Sequence, residues 1–224
     1  MLISFCCNLT CKYKIVHMCL KKHPADLPSS IPEAMKRFFF HKEKGPMLFT
    51  MTITFLIGHR VHLDAPFTHR DLAAIMTSIF IGWIQEYLIH HYLLHSTWKW
   101  VGQEQHQQHH DHPYLQICID PPQLILLGLL AANLIFRLTL SPPMAQSATI
   151  GYALAGLWYE WMHYVHVVHI KVKPKSKIMK RLRNNHIRHH LIDDGCWFGF
   201  SHDLLDMLVG TWRGVPVRTK TGNA

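Results

Sequence analysis

Two copies of the pattern H-x-x-H-H, at His106-Gln107-Gln108-His109-His110 and His186-Ile187-Arg188-His189-His190, constrain this chain more than any other feature. On an α-helix, positions i, i+3 and i+4 lie on one face within a turn of each other. Three imidazoles so spaced converge on one metal ion or straddle two. Two further groups stand at the ends of apolar segments: His90, His91 and His95 after Glu86, and His163, His166 and His169 after Glu160. The chain holds 20 histidines against 14 acidic residues, a surplus that needs a partner wherever it is buried. Because these histidines are spaced and not run together in a tract, metal ligation explains them better than a low-complexity segment does.

Four apolar segments frame the histidines, at about 46–61, 72–94, 124–140 and 144–168. Each approaches the roughly 17–25 residues that a helix needs to cross a bilayer. The connections 59–71 and 141–143 carry few basic residues, namely Arg60 and Arg70 in the former. Eight Lys/Arg precede residue 45, and a second basic group runs from Lys171 to Arg188. The net charge of +9 is therefore concentrated on the side that positive-inside bias assigns to the cytosol. All four histidine groups fall on that side. No basic motif is interleaved with aromatic residues, so no nucleic-acid partner is expected. Four of the six cysteines lie in the first twenty residues and no pair has C-x-x-C spacing, which gives no disulfide framework or zinc ribbon.

The expected fold class is all-α: a four-span transmembrane helical bundle of two hairpins with a cytosolic histidine-rich helical cap. Residues 1–45, with Pro24, Pro28 and Pro32 interrupting regular structure, read as a cytosolic N-terminal arm. Residues 46–215 form the membrane-embedded domain and 216–224 a C-terminal tail. The expected location is an integral protein of the endoplasmic reticulum with its histidines facing the cytosol. A plastid membrane is the alternative, because the basic opening residues contain no acid before Asp26.

Residues 80–213 resemble the fatty acid hydroxylase/sterol desaturase superfamily of membrane di-iron enzymes. The resemblance lies in His90-x4-His95, His106-x2-His109-His110, Tyr159-Glu160-x2-His163-Tyr164 and Asn185-His186-x2-His189-His190. It continues through Trp197-Phe198-Gly199-Phe200-Ser201, Asp206 and Gly210-Thr211. It implies four spans, two non-haem irons (zinc can substitute), O₂, a lipid substrate and a separate electron donor such as cytochrome b5 or ferredoxin. The x4 spacing of the first box and the Phe198-Gly199-x-Ser201 that follows the last resemble the fatty acid hydroxylase branch more closely than sterol desaturases.

Ligands implied are His90, His95, His106, His109, His110, His163, His169, His186, His189 and His190. Regular helix geometry would pair His91 with His95, since His90 and His95 stand about 140° apart. The resemblance favours His90, which requires the helix to unwind at the membrane exit, and His91 is held in reserve. The third box departs from the usual H-x3-H, with Val167 in the expected place. Reading from Tyr159-Glu160 selects His163, reading back from Lys173-Pro174 selects His169, and His166 is a further candidate. Glu86 and Glu160 are expected to accept the outer ring N–H of ligand histidines.

An aliphatic C–H bond has neither an acidic proton nor a leaving group, so its oxidation requires O₂ and reducible metals; imidazole suits iron. The expected activity is hydroxylation of a membrane lipid, on a fatty acyl chain. Sterol or isoprenoid desaturation on the same scaffold is the alternative, and a non-catalytic metal-binding membrane protein is the alternative of another class.

Overall fold

A computed structural model describes residues 27–41, 44–112, 122–166, 171 and 173–213, and every described element is helical. Helix α1 (Ile31–Phe39) starts at Ser30, whose hydroxyl accepts from the Glu33 N–H. Pro32 sits in its first turn, where proline costs no hydrogen bond. The proline expected to interrupt the arm instead helps to start a helix.

Four long helices follow: α2 (Gly45–Asp64), α3 (His69–Leu88), and, beyond the short α4 (Val101–Asp111), α5 (Pro122–Thr139) and α6 (Pro142–His166). Helix α2 runs past the expected boundary, which leaves only residues 65–68 to connect it to α3. Thr68 and Asp71 form a reciprocal capping box that fixes where α3 begins. Helix α3 continues into a π-helical stretch, Ile89–Leu94. Together they form the one described helix long and apolar enough to cross a membrane, His69–Leu94, 26 residues. The histidine-rich α7 (Lys177–Leu191) and the short α8 (Leu204–Val209) complete the described chain.

Helix α6 is the centre of the bundle and packs on α2, α3, α5 and α7. Its contact with α3 depends on Gly151, where a Cβ would run into the Ile75 backbone and the Ser78 hydroxyl. Polar side chains tie the helices across this apolar interior. Gln146 donates to the Thr54 carbonyl at 3.0 Å, Tyr152 to Gln85 Oε1 at 2.6 Å and Asn133 to Thr149 at 2.8 Å. At the end remote from the histidine groups, Ser147 donates to Asp71 and lies 3.0 Å from His62 Nε2, joining α2, α3 and α6. Outward-facing Phe49, Leu56, Met76, Leu130 and Leu138 remain exposed.

Candidate metal centre

The π-helical stretch settles the geometry of the first histidine group. A π turn is wider than an α turn and bonds i to i+5, and the His95 N–H meets the His90 carbonyl at 3.3 Å. His90 and His95 thereby come together, so the helix widens where it was expected to unwind. His91 turns away and stacks on Tyr92 and Phe198.

Nine of the ten expected ligands gather in two groups. One contains His90, His95, His106, His110 and His189, the other His109, His163, His186 and His190; within each group the nitrogens lie within 4.8 Å of one another. His169 lies outside the described residues, as does the side chain of His166. Each H-x-x-H-H triplet is shared between the groups. In α4, His106 and His110 join the five-histidine group and His109 the other; in α7, His186 and His190 join the four-histidine group and His189 the first. Residues i and i+4 are about 40° apart around a helix, whereas i+3 falls about 60° to the other side of i.

The proton inventory explains what this arrangement can hold. A carbonyl only accepts, so His90 Nδ1–H donates to the Phe198 carbonyl and His189 Nδ1–H to the Cys196 carbonyl, the latter at 2.7 Å. In the neutral ring this leaves Nε2 of both residues as a bare lone pair. His95 Nε2 lies 3.3 Å from Nε2 of His90 and 3.0 Å from Nε2 of both His189 and His106. One ring nitrogen carries at most one proton, so it cannot bond all three. In the second group, His190 Nε2 faces His186 Nε2 at 2.7 Å and His109 Nε2 at 3.1 Å. Both ring nitrogens of His163, fully buried, have no hydrogen-bond partner. Ring nitrogens that converge in each group with more neighbours than one nitrogen can bond, or with no partner at all, fit a pair of cations.

Electrostatics point the same way. Burial, reinforced by neighbouring imidazoles, holds His106, His110 and His190 well below the ordinary histidine range, and His189 is lowered to about 3. These rings stay neutral at physiological pH, the form that ligates metal.

A loop from Cys196 to Thr211 orients the rings. Trp197 adopts a left-handed conformation (φ 57°), costly for a side chain of its size, and its N–H donates to the Thr211 carbonyl. That turn presents the two flanking carbonyls, of Cys196 and Phe198, to the two histidines. Two buried acids hold the loop. Glu86 accepts the N–H groups of Phe200 and Ser201, both at 2.9 Å. Asp206 accepts from Phe198 N–H at 2.9 Å, Gly199 N–H at 2.7 Å and the Thr211 hydroxyl at 2.6 Å. Burial outweighs these bonds and raises the Asp206 carboxyl above the usual range. At Gly199 a Cβ would collide with the His202 carbonyl and crowd that carboxylate.

Glu86 thus grips the loop backbone, whose carbonyls take the ring protons of His90 and His189. Glu160 forms a buried ion pair with Lys44, which also lies over the Phe38 ring. Lys44, counted from the sequence among the basic residues on the cytosolic side, is completely buried. No sequence signal singled out Lys44. Asp206 appeared in a motif, but spacing alone assigned it no role.

Asp206→Ala is expected to leave two buried N–H groups unpaired while the Thr211 hydroxyl keeps Tyr87, a loss of about 2 kcal/mol or more at roughly 1–3 kcal/mol per unsatisfied group. Thermal melts in detergent should show a lower Tm and metal analysis a reduced content, with Asp206→Asn intermediate. An unchanged Tm and metal content would show that the loop does not support the histidine groups.

Two recesses flank the centre. A polar one of about 370 Å³ touches His95, His91, Gln107 and Asp194. A largely apolar one of about 440 Å³ lies between α3, α5 and α6, with Trp100, Tyr159 and Glu160 in its wall.

A family model described as fatty acid hydroxylase matches residues 75–211, which include every residue of the two histidine groups. A dihydroceramide fatty acyl 2-hydroxylase of Arabidopsis thaliana is 26% identical over 141 residues, covering 60% of this chain. The match spans 58% of that relative's length, so the chain covers a little over half of it. The fold is similar to that of full-length scs7p, in which only the hydroxylase domain is visible. The TM-score is 0.63 at 16% identity, over 91% of this chain and 79% of that one.

Proposed function

The chain belongs to the fatty acid hydroxylase family, and on that premise we propose that it hydroxylates an aliphatic C–H bond of a membrane lipid, on a fatty acyl chain, using O₂ and two non-haem irons. The observation that carries this reading is the convergence of nine buried or half-buried imidazole nitrogens in two groups, in the first of which two ring protons are already spent on backbone carbonyls. His90, His95, His106, His110 and His189 would hold one ion, and His109, His163, His186 and His190 the other. His169 or His166 would add to the second. When bound, iron supplies the reducible centre through which O₂ can attack an unactivated C–H bond; zinc fits the same ligands without that redox chemistry.

The chain's own residues supply position and exclusion of water. The carbonyls of Cys196 and Phe198 fix the tautomers of His189 and His90, and Glu86 and Asp206 hold those carbonyls in place. The apolar recess beside Tyr159 offers an acyl chain a route from the bilayer between α3, α5 and α6. On this reading α2, α3, α5 and α6 cross the membrane as two hairpins, within a domain at 46–215 preceded by an arm and followed by a short tail. The histidines face the cytosol, in the endoplasmic reticulum, where a separate donor such as cytochrome b5 or ferredoxin delivers electrons.

Expression in a host of defined lipid composition, with a working reductase, tests the proposal. Hydroxylated acyl chains absent from the empty host are the expected result. An unchanged lipid profile would overturn the oxygenase reading, and a new double bond in place of a hydroxyl would redirect it to desaturation.

A further inference from the structure

One face of α3 carries Met76, Phe80, Trp83 and Tyr87, spaced i, i+4, i+7 and i+11. Its lower half is bare: Met76 is 58% and Phe80 48% exposed. Its upper half is covered by the segment around α8, where the His202 ring meets the Trp83 carbonyl at 3.0 Å and the Tyr87 hydroxyl meets Thr211 at 3.1 Å. Helix α8 lies between those two contacts, level with Trp83 and Tyr87. Its inward residue, Asp206, is buried and bonded, while its outward side chains are apolar. Leu204, Met207, Val209 and Trp212 are exposed, and Leu208 is 71% exposed.

Depth along α3 identifies what meets this surface. At 1.5 Å per residue the 26-residue helix is about 39 Å long, against a hydrocarbon layer of about 30 Å. Even if the whole excess of about 9 Å projected on the histidine side, Tyr87, about 10 Å below Leu94, would lie at the hydrocarbon boundary. Trp83, about 16 Å below Leu94, would lie inside it. An apolar helix at that level, directly above the bare Met76–Phe80 surface, continues the lipid-facing wall of α3.

We propose that α8 and Trp212 form an in-plane wedge seated in the cytosolic leaflet of the bilayer, so that the metal-bearing cap is partly sunk into the membrane. The occupant of this surface is lipid acyl chain. The wedge rests on α3 spanning the membrane, as the proposed function also assumes. It also bears on that function. The loop that orients His90 and His189 runs directly into α8, so the bilayer itself supports the ring-orienting carbonyls.

A photoreactive, benzophenone-bearing phenylalanine installed in place of Leu208, Met76 or Gln108 tests this in phosphatidylcholine nanodiscs. All three positions are exposed, so folding is not at stake. After irradiation, mass spectrometry is expected to find several-fold more lipid adduct at positions 208 and 76 than at 108, on the cap. Lipid adducts at 76 with chain-to-chain adducts or none at 208 would overturn the wedge and leave the span intact. Absence of lipid adducts at both 76 and 208 would overturn the spanning reading and the wedge together.

Discussion

Exchange of both His163 and His186 for glutamine is expected to lower the metal content of the purified chain from two ions to one and to abolish hydroxylated product. Both residues belong to the four-histidine group alone, so the exchange leaves only His109 and His190 of its described members. The five-histidine group keeps every member. Glutamine fills much of the vacated volume, which limits the cavity penalty in a core where His163 is packed against Phe200 at 4.5 Å. Loss of outer hydrogen-bond partners alone costs about 10–100-fold in metal affinity or activity, so removal of two direct ligands should exceed about 100-fold. The reciprocal exchange of His95 and His106 should empty the other group. Elemental analysis with product quantification reads both, and two ions retained after either exchange would refute the division into two groups.

Metal removal should expose a strong acid sensitivity. A folded-state histidine pKa below the unfolded value of about 6.5 means that the unfolded chain takes up its proton first as pH falls. Stability is therefore lost below about pH 6.5 and is unaffected above it. His189, lowered to about 3, alone accounts for about 5 kcal/mol once pH falls below that value, at 1.36 kcal/mol per pH unit. His106, His110 and His190 act in the same direction, each held down first by burial and then by neighbouring imidazoles. Between pH 7 and pH 4.5 the chelated protein should lose most of its thermal stability in detergent. Metal-loaded protein should resist until protons displace the ions in the same window. A chelated protein with the same Tm at both pH values would show that these rings are not buried and neutral.

Much of this centre is legible in the one-dimensional pattern, because α-helical spacing is a local property. Two H-x-x-H-H triplets specify two helix faces, and the apolar segments specify where helices run. The identity of both triplets therefore needed no tertiary information. The division of labour within each triplet follows from the same spacing, but only once the partner helix is in place. His109 and His189, the i+3 members, each cross to the group opposite their neighbours.

Other features depended on long-range contacts. His90 pairs with His95 because α3 widens into a π turn, which no residue in Ile89–Leu94 announces. Glu86 and Glu160 stand one turn before histidines and invited similar roles. One instead grips a backbone more than a hundred residues away, and the other neutralises a lysine from the start of α2. The sequence by itself determined which faces carry imidazoles and that they lie at helix ends, because helical periodicity is set by backbone geometry within a few residues. Only the tertiary structure decided which imidazoles gather in one group and which atoms fix the protons of His90 and His189, because those atoms are backbone carbonyls whose position depends on a distant loop, not on the identity of the side chain beside them.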